Sequence, residues 1–150
     1  CWIGDCNNVL NSLIAASVKF RFNLNIGCPK NYRPPMFVMD WVKKNKRKIN
    51  IFNDPKKAAK NADVVFSDKV VSINDKGNKA KKIKDFKKYR INQNLMKVTR
   101  SQSIFLHCLP RGNEVSEDIF LGKQSRVWQQ ALNRVHVQKG ILLYIFNKLR

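Results

Sequence analysis

The stretch "IFLHCLPRG", Ile104 to Gly112, joins the pattern of a buried strand to a cluster of chemically active side chains. Three apolar residues run directly into a histidine, a cysteine, a proline and an arginine. A short apolar run that ends at a proline and a glycine predicts a strand buried on both faces. The sequence thus places a thiol, an imidazole and a guanidinium at the carboxyl end of a core strand.

Outward from this stretch, strand patterns alternate with amphipathic helical patterns along the chain. This alternation predicts a three-layer, doubly wound α/β fold of Rossmann-like type, with a mainly parallel sheet and helices on both faces. The predicted strands cover residues 2–4, 23–27, 49–53, 63–68 and 104–109, with a sixth short strand at 125–128. The predicted helices cover residues 8–20, 37–45, 56–61, 82–89, 92–98, the turn after Ser116, and 131–149.

Polar clusters follow three of the predicted strands. They are Gly4 to Asn8, Asp68 with the loop to Ser72, and His107 to Arg111. Ligands of parallel α/β sheets bind at the carboxyl ends of the strands. The three clusters therefore predict one binding site at this edge.

Several nucleotide-binding and hydrolase motifs are excluded by the residues at the strand ends. A Gly-x-Gly-x-x-Gly turn starting at Gly4 would need glycines where Cys6 and Val9 stand. The chain has no phosphate-binding P-loop motif and no Gly-x-Ser-x-Gly elbow. The site is therefore expected to bind something other than a dinucleotide.

The charge of the chain suggests a second class of function. The 150 residues, enough for one domain, carry a formal net charge of +20, which is compatible with a nucleic-acid-binding module. Two runs, Lys43–Lys48 and Lys81–Lys88, strengthen that impression. Lysine predominates over arginine, however, whereas base reading favours arginine. We therefore favour a solvated basic surface and expect no specific nucleic-acid partner.

The cysteines and the apolar runs limit the remaining possibilities. The four cysteines form no Cys-x-x-Cys pair, so we expect free thiols, a reducing cytoplasmic setting and no metal site. The longest apolar run, Ile141–Phe146, has six residues, so we expect no membrane-spanning helix. The chain starts at Cys1 in what looks like the middle of a strand, which suggests a piece of a longer protein truncated at its N-terminus.

The strand-end clusters resemble the ornithine-binding domain of the ornithine carbamoyltransferases. The similarity covers essentially the whole chain, and the cysteine in His-Cys-Leu-Pro separates this family from the aspartate carbamoyltransferases. The chain departs from the usual pattern at Cys6, Asn74 and Leu132. The motifs that carry the resemblance are "WIGDCNNVLNSL", "SDKVVSIND", "HCLPRG" and "ALNRVHVQKGIL".

The resemblance implies a reaction in which the δ-amine of ornithine attacks the carbamoyl carbon of carbamoyl phosphate. Phosphate leaves and citrulline forms, a step of arginine metabolism in either the synthetic or the degradative direction. Cys108 and Asp68 are the implied catalytic residues, since the amine must lose a proton to react. Arg134 and the backbone at Cys108 and Leu109 are expected to stabilise charge on the carbonyl oxygen. The implied ornithine-binding residues are Asn8, Asp68, Ser72 and Ile73, and those for carbamoyl phosphate are Cys108, Leu109 and Arg134.

The resemblance also implies how the domain is used. Residues 1–150 would form the ornithine-binding domain, and residues 129–150 a terminal helix that packs back toward a missing carbamoyl-phosphate domain. The family forms homotrimers and needs no cofactor. A carbamoyltransferase for another amine, such as putrescine, and a basic nucleic-acid-binding module are the alternative functions.

Overall fold

In a computed structural model of the chain, which describes residues 1–71 and 77–148, helices cover both faces of a parallel sheet. The predicted doubly wound α/β fold is thereby confirmed. Ser72 and Ile73, which were predicted to bind ornithine, lie outside the described residues. The strands are β1 (Trp2–Ile3), β2 (Asn25–Gly27), β3 (Asn50–Phe52), β4 (Val64–Ser67) and β5 (Ile104–His107). The helices are α1 (Asn8–Phe20), α2 (Met36–Lys44), α3 (Pro55–Ala59), α4 (Lys79–Phe86), α5 (Gln93–Met96), α6 (Glu117–Phe120) and α7 (Val127–Lys148), with 3-10 helices at Lys30–Tyr32 and Lys87–Tyr89.

The strand order β3-β2-β1-β4-β5 places the reversal of the winding between β1 and β4. Trp2 is in register with Ile26 of β2 on one side and with Phe66 of β4 on the other. The chain leaves β1 toward β3 and then returns to β4 beside β1. A crevice opens at such a switch point, outside the carboxyl ends of the two strands, and it is where ligands of this fold class bind.

Two apolar cores form on opposite faces of the sheet because successive strand residues point to opposite sides. Trp2 packs with Leu10 and Ile14 of α1, whereas its neighbour Ile3 packs with Val65 and Phe105 in the other core. Helices α1 and α2 cover the first face. The second core contains residues of α3, α4, α5 and α6 and the buried Val127 that begins α7.

Short polar side chains set where the helices begin. Asp54 precedes Pro55, and its carboxylate accepts hydrogen bonds from the N–H groups of Lys56 and Lys57. Asparagines do the same at positions 7, 78 and 92. These caps satisfy backbone donors that have no partner within the helix. Ser116, which precedes α6, makes no side-chain capping bond.

The predicted sixth strand at residues 125–128 is wrong. Only Ser125 forms a bridge, with Phe105, and Val127 already belongs to α7. The backbone of Phe105 is bonded on both sides of this bridge, by Gln124 and Arg126. The helix therefore begins two residues after the bridge, before a strand can extend.

The long helix α7 leaves the body of the domain after its first turn. Val127 is 1% exposed, whereas all residues from 131 to 148 are exposed. The exposed side chains include six consecutive apolar ones, with Tyr144 at 66% and Phe146 at 63%. No layer of the described part of the domain therefore covers residues 141–146.

Candidate functional site

The switch-point crevice brings together two of the three predicted clusters through a direct hydrogen bond. Nδ2 of Asn7, which follows β1, donates to Oδ2 of Asp68, which follows β4, at 2.7 Å. Position 4 before this turn favours glycine, because its φ of +146° is a conformation that residues with a side chain rarely adopt.

Asn7 is both the cap of α1 and the partner of Asp68. Its Oδ1 accepts from the backbone N–H groups of Val9 and Leu10 at 3.0 and 3.2 Å. That capping fixes the orientation of the amide and directs Nδ2 toward the carboxylate. Asn7 and Asn8 both belong to the predicted cluster, and Asn8 was the one expected to bind ornithine. Asn8 is the exposed first residue of α1.

Among residues 1–71 and 77–148, Asp68 has one further side-chain hydrogen bond. Its Oδ1 accepts from the N–H of Lys69 at 2.8 Å. An ionised carboxylate has about four lone-pair sites, so it can accept from a cationic ligand as well as from these two donors. The strand below is held in place because the Ser67 hydroxyl donates to the carbonyl of Ile3 at 2.7 Å.

The Cys108 thiol lies at the end of β5, close enough to Asp68 for the carboxylate to affect its ionisation. Burial, with a smaller contribution from the negative charge of Asp68, raises the pKa of Cys108 to about 12. The thiol is therefore protonated near neutral pH. It can orient a substrate as a weak donor or acceptor, whereas Asp68 is the better candidate to receive a proton.

The backbone of the Cys108–Leu109 turn does not supply free N–H donors, contrary to the sequence-based expectation. The Cys108 N–H donates to the carbonyl of Ser67 at 3.4 Å, and the Leu109 N–H donates to Nδ1 of His107 at 3.1 Å. Both N–H groups of this turn are therefore engaged within the chain.

His107 has partners on three sides, which sequence reasoning did not anticipate. Its side chain is fully buried, and its Nε2 lies 3.0 Å from Oε1 of the buried Glu114. Its backbone N–H donates to Oε1 of Gln130 on α7 at 3.1 Å. Glu114 was not singled out from the sequence, where a glutamate two residues beyond a glycine gave no sign that it would be buried.

Arg134 stands one helical turn beyond Gln130 on α7. Residues i and i+4 lie on the same face of a helix, and Gln130 faces the end of β5 through its bond to His107. Arg134 is exposed in this structure. Arg134 therefore lies on the same helix face as Gln130, and its role in binding stays a prediction.

A partly buried ion pair joins α4 to the β1–α1 turn beside the crevice. Nζ of Lys82 lies 2.7 Å from Oδ2 of Asp5, and both side chains are less than a fifth exposed. The same ammonium lies 5.9 Å from the centre of the Tyr32 ring, whose hydroxyl donates to Asp85. These contacts fix the end of the loop that begins at Asp68. Asp5 belongs to the predicted cluster Gly4 to Asn8, but its pairing with Lys82 was not predicted from the sequence.

The two basic runs do not form one continuous surface. Lys43–Lys48 spans the end of α2 and the approach to β3, at the amino edge of the sheet. Lys81–Lys88 lies on α4 and the following 3-10 helix, which the Lys82–Asp5 pair ties to the carboxyl edge. Opposite edges of the sheet therefore carry separate patches.

The described residues contain neither a helix suited to a membrane nor a group of metal-ligating side chains. Within residues 1–71 and 77–148, no helix is long and apolar enough to cross a membrane. In the same part of the chain, no three His, Cys, Asp or Glu side chains are grouped as metal ligands. All four cysteines are free thiols.

Comparison with known proteins gives one family for the whole chain. Residues 1–145 match the family described as aspartate/ornithine carbamoyltransferase, Asp/Orn binding domain. The chain is 40% identical over 148 residues to the ornithine carbamoyltransferase of Ruthia magnifica subsp. Calyptogena magnifica, covering 97% of this chain and 48% of that protein. It is 41% identical over 145 residues to the ornithine carbamoyltransferase of Brucella abortus, covering 95% and 46%.

Solved structures show the same similarity. The anabolic ornithine carbamoyltransferase of Campylobacter jejuni superposes with a TM-score of 0.89 at 36% identity, covering 98% of this chain and 50% of that one. The ornithine carbamoyltransferase of Pyrococcus furiosus gives a TM-score of 0.84 at 34% identity, covering 94% and 47%. The chain thus spans about half the length of the relatives it matches.

Proposed function

We propose that this chain is the ornithine-binding half of an ornithine carbamoyltransferase. The chain belongs to the aspartate/ornithine carbamoyltransferase family and matches its Asp/Orn binding domain. In the proposed reaction the δ-amine of ornithine forms a bond to the carbamoyl carbon. The carbon–oxygen bond to phosphate breaks, the amine loses a proton, and the products are citrulline and phosphate. Carbamoyl phosphate would be held mainly by the half of the enzyme that this chain does not cover.

The observation that carries the proposal is the hydrogen-bonded convergence at the switch point. Asn7 bonds to Asp68 at 2.7 Å, and Cys108 is near enough to Asp68 for its thiol to feel that charge. A carboxylate suits an ammonium group, and a neutral thiol near it suits an amine that must be oriented for attack. An amino acid with a second amine meets both requirements.

The proposal gives substrate-binding roles to further residues. We assign Asp68 to the α-amino group and Asn8, with Ser72 and Ile73, to the rest of the amino-acid head. Cys108 would orient the δ-amine, the Leu109 turn would face the carbamoyl group, and Arg134 would contact carbamoyl phosphate. A diamine such as putrescine lacks the α-carboxylate, so it would leave part of this set unused. Ornithine is therefore the favoured substrate.

Assembly and setting are part of the same proposal. We propose a homotrimer in the cytoplasm, with no metal or organic cofactor. The trimer is proposed because members of the family form homotrimers. The four free thiols are compatible with a reducing compartment. Sedimentation of the complete enzyme tests the trimer directly.

A fusion protein tests the function. The half of the Campylobacter jejuni relative that this chain does not cover is joined ahead of Cys1; this protein is called the fusion below. We expect it to form citrulline from ornithine and carbamoyl phosphate, and to use putrescine or aspartate at least about tenfold less well, the ratio that 1.4 kcal/mol of binding gives. A folded, trimeric fusion that prefers either of those amines would contradict the proposal.

Asp68→Asn in the fusion is expected to weaken ornithine binding by about 10- to 150-fold without abolishing carbamoyl phosphate binding. A hydrogen bond to a charged group contributes roughly 1.5–3 kcal/mol. An amide also presents a donor either to Nδ2 of Asn7 or to the N–H of Lys69, where the carboxylate accepts from both. Calorimetry with each ligand measures the effect.

Asp63→Asn is the matched control for that experiment. Asp63 precedes β4 as Asp68 follows it, and it pairs with Arg100 while 73% exposed. Because exposed pairs contribute at most about 1 kcal/mol and this one lies at the opposite edge, ornithine binding should be unchanged. Equal loss of both ligands in Asp68→Asn would mean that the substitution disturbs the fold instead.

The basic surface is expected to bind nucleic acid only weakly and without sequence preference. A chain of net charge +20 releases counterions on any phosphate backbone, and such binding falls steeply with salt. Fluorescence anisotropy with random DNA and RNA should show binding that is lost between about 50 and about 200 mM salt. Sequence-selective, submicromolar binding at physiological salt would revive the alternative of a nucleic-acid-binding module.

A further inference from the structure

The most deeply buried carboxylate near the crevice belongs to Glu114, which is 8% exposed. Burial of a carboxylate is costly unless partners satisfy it. Its Oε1 accepts from the N–H of Gly112 at 2.6 Å and lies 3.0 Å from Nε2 of His107. Burial alone would raise the pKa of Glu114, but the contact with His107 and the backbone N–H groups of Gly112 and Glu114 outweigh it and leave this pKa below its usual value. The group is therefore a buried negative charge.

The partner of Glu114 has its tautomer set by a second contact. Nδ1 of His107 accepts from the N–H of Leu109 at 3.1 Å, so Nδ1 carries the lone pair and Nε2 carries the proton. The Nε2–Oε1 distance is that of a hydrogen bond although the N–H is not in line with the oxygen. In either geometry the charge of Glu114 favours a proton on Nε2.

Leu109 needs such support because of its backbone. Its φ is +36°, a conformation that a leucine adopts only where the surroundings over-determine it. Its N–H is held by His107, whose ring is fully buried against Phe105 and Phe120. The conformation of the turn that follows Cys108 thus depends on the imidazole, and the imidazole on the carboxylate.

We propose that Glu114 is a positioning residue which, through His107, holds Leu109 in the conformation that presents the Cys108–Leu109 turn to the substrates. This inference rests on the proposed function for what the turn does, but the relay itself concerns three residues of this chain. A positioning role of Glu114 differs from simple core packing in what it predicts: a single tautomer of His107 and a protected amide at Leu109.

Nitrogen NMR of the chain labelled with 15N-histidine tests the relay without any activity. The sequence holds two histidines, His107 and His136, and His136 on the exposed part of α7 serves as an internal reference. We expect one Nε2–H tautomer at His107 and averaged tautomers at His136. In Glu114→Leu the His107 tautomers should mix, and the Leu109 amide should exchange at least about tenfold faster, which corresponds to 1.4 kcal/mol of lost protection.

Two conservative variants keep the test decisive if Glu114→Leu folds poorly. Glu114→Gln retains an acceptor for Nε2 and for the Gly112 N–H, so its tautomer ratio and amide exchange should fall between those of wild type and Leu. His107→Asn retains an acceptor near the Leu109 N–H but cuts the link to Glu114, so it should protect the amide independently of residue 114. Unchanged tautomer and exchange in both residue-114 variants would overturn the proposal.

Activity of the fusion provides the second measurement. Misplacement of a reacting group by about 1 Å can cost about 10²-fold in rate, so Glu114→Leu should lower kcat by that order with little change in the KM for ornithine. Glu117→Gln, an exposed substitution on α6, is the control and should have no effect. An inactive wild-type fusion would count against the proposed function, whereas an active one with full kcat in Glu114→Leu would count against the positioning role.

Discussion

Cys108→Ala in the fusion should lower the turnover of ornithine by about 10²–10⁴ and leave the melting temperature nearly unchanged. Loss of one orienting or acid–base group typically costs that much in rate. The thiol is only partly buried at the end of β5, so its removal leaves a small gap at the crevice rather than a cavity in the core. The loss should therefore appear in kcat more than in stability.

The state of the thiol makes a second measurement possible on the chain itself. Because burial raises the pKa of Cys108 to about 12, its thiolate fraction at pH 8 should be several hundred-fold or more below that of an ordinary cysteine. Alkylation of Cys108, followed by peptide mass spectrometry, should be correspondingly slow in the folded chain and normal in urea. The raised pKa also determines how stability depends on pH. Above the usual cysteine pKa the unfolded chain loses the thiol proton while the folded chain keeps it, so the free energy of unfolding falls as pH rises through that range.

Cys1→Ala is the matched control, since Cys1 lies at the amino end of β1, away from the crevice. Its turnover should equal that of the wild type. Cys108→Ser, which keeps a short donor and acceptor at the same place, should fall between alanine and wild type. Wild-type turnover in Cys108→Ala would end the assignment of a role in the reaction.

The fold class was predictable because it depends on local periodicity. Apolar runs such as 104–107 and capped helices such as the one behind Asp54 are each encoded within a few neighbouring residues. The order of the strands is not encoded in that way. The position of β4 beside β1 depends on contacts between distant parts of the chain. Trp2, for example, is in register with residues of both β2 and β4. The sequence therefore predicted the edge that holds the site but not the switch point within it.

The site was predictable where a strand ends in a reactive side chain, as at Asp68 and Cys108. It was not predictable where a residue acts through a partner distant in sequence. The bond between Asn7 and Asp68 could not be seen in the sequence, because the two residues are 61 positions apart. Glu114 looked like one of ten acidic residues in the chain until burial and the contact with His107 set it apart.

The 150-residue chain by itself is expected to form no citrulline and to self-associate as salt is added. Helix α7 exposes six consecutive apolar residues, from Ile141 to Phe146, and each is at least 45% exposed. Contiguous exposed apolar surface marks an interface or an aggregation risk. In the proposed enzyme this helix packs back toward the half that binds carbamoyl phosphate, which this chain does not cover, so the fusion should cover the helix.

The net charge decides when association begins. Molecules of charge +20 repel each other at low ionic strength, and the screening length falls from about 10 Å at 0.1 M salt to about 3 Å at 1 M. Light scattering of the chain should therefore rise over that range, whereas scattering of the fusion should stay at the value of its assembled state. A monodisperse monomer of the chain at about 1 M salt would contradict the role of α7.

A pair of charge-matched variants separates the apolar helix from the overall charge. Leu143→Lys with Phe146→Lys adds two charges on one face of α7, and these side chains are 65% and 63% exposed. Phe20→Lys with Met36→Lys adds two charges at apolar side chains that are 80% and 78% exposed elsewhere on the domain. Because both variants carry the same net charge, repulsion alone would suppress association equally in the two. We expect the α7 variant to stay monomeric at high salt and the other to associate like the wild type, since only the α7 variant removes the apolar face that no layer of this domain covers.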